Sequence, residues 1–169
     1  LFIKIILPLI LDENNKITKD RKKLFKILGK NFNTAGERVW LRRRFKEYKI
    51  DDGDLSKLKM RMDIVPVSIA IAQAANESGW GTSRFALEGN ALFGQWTWSK
   101  KGISPKNKDP NKSHKVLQFQ VLKASVRAYK NNLNTHNAYR EFREARAKLR
   151  QQDNQIIGLE LTKYLKNYA

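Results

Sequence analysis

The chain has 169 residues, enough for one domain with a sizeable core, and carries a formal charge of +18 from 34 Lys and Arg against 16 Asp and Glu. It contains no cysteine, which excludes disulfides and thiolate metal sites, and its two histidines, His114 and His136, are too few for a metal site without carboxylate help. No metal or organic cofactor is therefore expected, whereas the charge calls for an anionic partner or environment.

Residues 1–28 are predicted to be helical. Residues 1–11 are strongly apolar but interrupted by Lys4 and Pro8, and too short to span a bilayer. A buried first helix is expected rather than the remnant of an export signal, because the apolar pattern continues through Ile17, Leu24, Phe25 and Leu28. A second helix is expected over 35–48. Asp51-Asp-Gly-Asp54 then reads as a turn whose acids suit the start of the next helix, since it lacks the twelve-residue ligand spacing of a calcium loop. Residues 1–54 are read as a helical extension packing on a domain that runs from 55 to 169 and is open to truncation at its C-terminus.

Pro66 can open a helix, because its missing N–H is one that a first helical residue would not use. From Ile64 to Ala75 the chain offers hardly any polar face, so this helix is expected to be buried on most sides, with Gly79 and Gly81 ending it. Glu77 falls in its last turn. Burial and the negative end of the helix dipole both disfavour the ionised carboxylate there, as a general acid requires. The competing reading pairs Glu77 with Arg84 as a structural tie. Trp80, between two glycines, is expected to pack behind the acid, and Glu88 is placed in a loop before Asn90. Residues 96–114, rich in Lys, Gly, Pro and Asn, predict an exposed hairpin or small lobe. There Trp96 and Trp98 would share one side of a strand, either to stack on a sugar or to form the lobe's own core. Helices follow over 119–132, with Leu122, Val126 and Tyr129 on one stripe, and over 139–149, with Phe142, Ala145 and Leu149 inward and arginines outward. A last helical segment is expected over 155–168.

Several ordered pieces of the chain resemble the glucosaminidase family that cuts bacterial peptidoglycan, most nearly its Bax-like branch. They are Val65-Pro-Val-Ser-Ile-Ala-Ile-Ala-Gln73, Glu77-Ser-Gly-Trp-Gly-Thr-Ser-Arg-Phe85, Asn90-Ala-Leu-Phe-Gly-Gln-Trp96, and Ser125-Val-Arg-Ala-Tyr129 leading to Asn132-Leu-Asn-Thr-His-Asn-Ala-Tyr-Arg140. The resemblance implies an α+β, predominantly α, lysozyme-like fold, with a helical body and a small β-lobe, residues 95–119, flanking a substrate groove. It implies Glu77 as catalytic acid and Tyr139 as the tyrosine that closes the cleft. Gln73, Trp80, Phe93, Gln95, Trp96, Trp98 and Asn134 are carried over as substrate-binding positions. It further implies an exported monomer of the periplasm or cell envelope, acting on peptidoglycan glycan strands. Wall or peripheral membrane association would come through its positive charge, without specific binding to nucleic acid.

One departure from the family's commoner pattern bears on mechanism. The stretch from Trp96 to Pro105 holds no acid, where a second carboxylate is usual. Between Glu77 and Tyr139 the other carboxylates are Glu88 and Asp109, and Asp109 reads first as a turn residue before Pro110. Substrate assistance, in which the 2-acetamido group of the sugar attacks its own anomeric carbon, needs no enzyme nucleophile. An inverting route with water held by Glu88 or Asp109 ranks second. The rival activities are a muramidase or lytic transglycosylase, an idle wall-binding domain, and a basic nucleic-acid binder suggested by charge alone. The dispersal of the cations, from residues 19–23 and 42–44 to 140–150, argues against a single nucleic-acid-reading element.

Overall fold

A computed structural model describes residues 1–97, 102–104, 115–153 and 156–165. Trp98, Asp109 and His114 lie outside the described residues. The chain folds as α+β, predominantly α, in two compact units. Among the described residues, the first comprises those of 1–11 and 67–129; the second comprises those of 12–66 and 130–165.

Helix α1 (Phe2–Leu28) contributes to both units. It remains helical through Pro8, which has no N–H to give the preceding turn. Its buried apolar residues, Ile6 and Ile10 in the first unit and Leu24 and Ile27 in the second, recur at helical spacing. Ile3, Ile5, Leu11 and Phe25 are exposed, so the expected buried helix is an amphipathic one.

In the second unit, α2 (Ala35–Glu47) opens on a capping box in which the Thr34 hydroxyl accepts from the Glu37 N–H and the Glu37 carboxylate accepts from the Thr34 N–H. Helix α3 (Leu55–Arg61) is capped by Asp54, whose carboxylate accepts from the N–H groups of Ser56 and Lys57. The acidic turn thus acts as a helix cap. Leu24, Ile27, Leu41, Tyr48, Ile50, Leu58 and Met62 form the core of this unit.

The first unit holds α4 (Val67–Ser78), α5 (Arg84–Gly89) and a three-stranded antiparallel sheet. Its strands are β1 (Trp96–Thr97), β2 (Gly102–Ile103) and β3 (Lys115–Leu117), with β3 central. Trp96 pairs with Val116, and Gly102 with Leu117. The lobe expected over 95–119 is therefore a small sheet, and Glu88 lies in α5 rather than in a loop. Helix α4 is less enclosed than its sequence suggests. Ile69, Ala70, Ala74 and Ala75 are buried, but Ser68, Ala72 and Asn76 are exposed along a shallow groove of about 440 Å³.

Helix α6 (Leu122–Thr135) buries Val126, Tyr129 and Leu133. A single 3-10 turn, Asn137–Tyr139, leads into α7 (Arg140–Asp153). Phe142 of α7 points inward as expected, but so do Arg143 and Arg146, against the outward placement that their charge predicts. Both find backbone carbonyls. Arg143 donates to Leu133 and His136, and Arg146 to Met60, Asp63 and Ile64. Helix α8 (Gly158–Leu161) and a 3-10 turn over Thr162–Leu165 close the described chain.

Candidate active site

Glu77 is placed by the way α4 ends. The Trp80 N–H reaches back to the Ala75 carbonyl at 2.8 Å, and Gly79 turns left-handed at φ +57°, a helix stop that costs glycine little. Ser78 reinforces it: its hydroxyl donates to the Ala74 carbonyl and accepts the Gly81 N–H. Glu77 is thereby held in the final turn, half-buried, with its carboxyl group pushed above the ordinary carboxylate range by loss of solvent. Arg84 is not its partner. That guanidinium instead bonds to the Ser104 carbonyl and faces Glu88 at 3.5 Å, and among the described residues no cation pairs with Glu77.

The loop after α5 is shaped around this carboxyl group. Asn90 ends α5 left-handed at φ +50° and donates through Nδ2 to the Phe119 carbonyl, while the Leu92 N–H donates to the buried Ser125 hydroxyl of α6. The loop so anchored delivers Gly94 against the acid. A Cβ added to Gly94 would stand 2.5 Å from Glu77 Oε2, and Gly94 itself sits at φ +55°. Both space and backbone conformation require glycine there.

A second set of contacts ties the same loop to α6 and α4. Phe93 stacks on Tyr129, with ring centroids 4.0 Å apart and planes 7° from parallel. The Tyr129 hydroxyl donates to Gln73 Oε1, and Gln73 lies one turn before Glu77 on α4. Tyr129 and Gly94 shape the surroundings of Glu77 and were given no role from the sequence, although both fall within the motif pieces. The direct clue to Gly94 was a glycine after an apolar triplet in a chain with only nine glycines.

Six of the seven positions carried over as substrate-binding lie among the described residues. Trp96, on β1, is 56 % exposed, as a stacking surface must be. Phe93 and Asn134 are both buried. Phe93 is 1 % exposed and serves the Tyr129 stack. Asn134, equally buried, donates through Nδ2 to the Asp63 carbonyl in the second unit. Gln73 is committed to Tyr129, and Gln95 Oε1 is buried without a hydrogen-bond partner among the described residues. Trp80 does not pack behind the acid. Its own φ of +57° carries the ring outward, 62 % exposed, where Phe2 meets it edge-on at 5.8 Å. Tyr139 belongs to the second unit, is 8 % exposed, and lies 6.0 Å from the His136 ring between centroids.

Residues 54–169 match the family model described as mannosyl-glycoprotein endo-beta-N-acetylglucosaminidase, named Glucosaminidase. The chain belongs to the glucosaminidase family. The helical content and small antiparallel sheet agree with that family's lysozyme-like plan. The chain is also 35 % identical over 174 aligned positions to Protein bax of Escherichia coli (strain K12), an alignment covering 99 % of this chain. It spans 62 % of the length of that relative. No solved structure gives a significant match. Among the described residues, no helix of this glucosaminidase-family chain is long and apolar enough to cross a membrane.

Proposed function

We propose that the chain is an endo-β-N-acetylglucosaminidase that hydrolyses the GlcNAc-β-1,4-MurNAc bond of peptidoglycan, with Glu77 as general acid. The observation that carries this reading is the Glu77 carboxyl group itself. It has no cationic partner among the described residues, its pKa is raised by burial, and it lies beside a glycine that leaves it room, within a chain that matches a glucosaminidase model. A carboxyl group that holds its proton above the ordinary carboxylate range can give that proton to the leaving glycosidic oxygen. The start of the family match at residue 54 supports treating 1–54 as an extension of the catalytic domain.

The acetamido group of the substrate serves as nucleophile in this reading. Glu88, engaged with Arg84, is poorly suited to hold a water, and Trp96 offers an exposed ring to a sugar face. Tyr139 is retained as the residue that steadies the acetamido group. The substrate places the protein outside the cytoplasm, at the wall, where its +18 charge favours an anionic polymer.

Digestion of purified peptidoglycan, with mass spectrometry of the new ends, tests the assignment. Reducing GlcNAc ends are expected. Reducing MurNAc ends would make the protein a muramidase, anhydro-MurNAc ends a lytic transglycosylase, and no cleavage at all would favour a wall-binding domain.

A further inference from the structure

The second unit contains a cavity of about 870 Å³ between α1, α3 and α7. Arg21, Lys22, Lys59 and Arg150 line it, and none of its lining residues is acidic. Beneath them is a single buried carboxylate, Asp63, which Arg150 grips with two hydrogen bonds of 2.6 Å and which Arg21 approaches to 3.7 Å. One negative charge thus faces four positive ones. Among the described residues, neither Lys22 nor Lys59 has a carboxylate partner.

The arginines keep donors in reserve. Arg21 makes its bonds, to the Lys59 and Met62 carbonyls, through Nη1 alone, and Arg150 uses Nε and Nη2 on Asp63. Asp63 therefore holds two guanidinium groups in place without exhausting them, as a preformed oxyanion site requires. Phe25 and Met60 add an apolar wall, and the Arg21 guanidinium lies 5.1 Å from the Phe25 ring centroid. The volume lies within the range of small-molecule sites.

We propose that this cavity binds a phosphate-bearing ligand, a phosphate ester or diphosphate whose organic stem lies against Phe25 and Met60. A carboxylate would cancel one of the three surplus charges, whereas a phosphomonoester or diphosphate carries two or more. The site is separate from the glycan chemistry of Glu77 and does not rest on it. The phosphate could be carried by a soluble sugar phosphate or by a lipid headgroup, which the experiment below distinguishes.

The test is calorimetric titration of the full chain with inorganic pyrophosphate at low salt. It is repeated for the double variant Lys22→Glu/Lys59→Glu and for Arg42→Glu/Arg43→Glu, an equal charge change on exposed α2 positions. Lys22 and Lys59 are chosen because both are exposed and neither holds Asp63, so the fold should survive. Saturable binding is expected, weakened about tenfold or more by the lysine pair and about threefold or less by the control, because screened charges act over about 10 Å. No binding to the native chain, or equal loss in both variants, overturns the proposal. Glucose 1-phosphate and vesicles bearing a phosphomonoester headgroup are then compared. Lysine-dependent binding to the vesicles alone assigns the lipid source, and lysine-dependent binding to the soluble ester assigns the free one. Failure of both overturns the requirement for an organic stem.

Discussion

Glu77 and Gly94 form a pair in which each residue explains the other. Removing the proton while keeping the shape, as in Glu77→Gln, should lower wall hydrolysis by about two to four orders of magnitude with the fold intact by circular dichroism. Undiminished turnover would remove Glu77 from the mechanism. Gly94→Ala should have a comparable signature for a different reason. The added methyl would meet Oε2 and also suffer at φ +55°, so the loop or the acid must move. The expected loss is about a hundredfold in kcat/KM, with a lower Tm. Because burial raises the Glu77 pKa, the protonated form that the proposed mechanism requires persists above the ordinary carboxylate range and is lost as pH rises through the folded pKa. The kcat/KM profile should therefore fall on its alkaline side through a group that Glu77→Gln abolishes. An unchanged alkaline limb in that variant would assign it elsewhere.

Among the elements, the segment between α3 and α4 depends on side chains rather than on secondary structure. Its carbonyls at Asp63, Ile64 and Val65 are met by Asn134 of α6, Arg146 of α7 and Asn14 of α1. Asn134 and Arg146 are thus buried where they pair carbonyls that would otherwise lack a partner, a state that is itself costly in a buried segment. The price is borne by Arg146, whose pKa burial pushes down to about 10. Burial acts on Asp63 in the opposite direction, towards a higher pKa, but the Arg150 hydrogen bonds and the charges of Arg146 and Arg21 outweigh it and hold the carboxyl below its ordinary value. A depressed carboxylate contributes stability above its unfolded pKa that is lost as pH falls through the folded one. Asp63→Ala should cost roughly 3–5 kcal/mol, because it leaves buried arginine charge uncompensated. Chemical denaturation at neutral pH measures this, and the gap between variant and parent should narrow in acid. A constant gap would mean that Asp63 acts through packing.

For the whole molecule, the +18 charge makes a prediction independent of the active-site chemistry. Retention on insoluble peptidoglycan should weaken steadily from low to moderate salt, since exposed charges are screened beyond about 10 Å at 0.1 M. Retention indifferent to salt would transfer the affinity to glycan contacts alone.

The caps and main helices were legible in the residues. Asp54 before Leu55, the run from Val67 to the glycines, and the spacing of Leu122, Val126 and Tyr129 follow from local geometry and periodicity, which need no knowledge of what lies opposite. Glu77 was legible too, because a lone acid at the end of an apolar helix is a local pattern. Its surroundings were not. Whether Glu77 pairs with Arg84, whether Trp80 packs inward, and whether the α7 arginines face water depend on partners distant in sequence: Ser104 and Glu88 for Arg84, Phe2 for Trp80, and the carbonyls around Asp63 for Arg146. The sequence alone determined the helical plan, the motif-bearing acid and the family. Only the tertiary structure decided which polar groups are buried and what they satisfy, because hydrogen-bond partners for a buried charge are supplied by chain segments that periodicity cannot bring together.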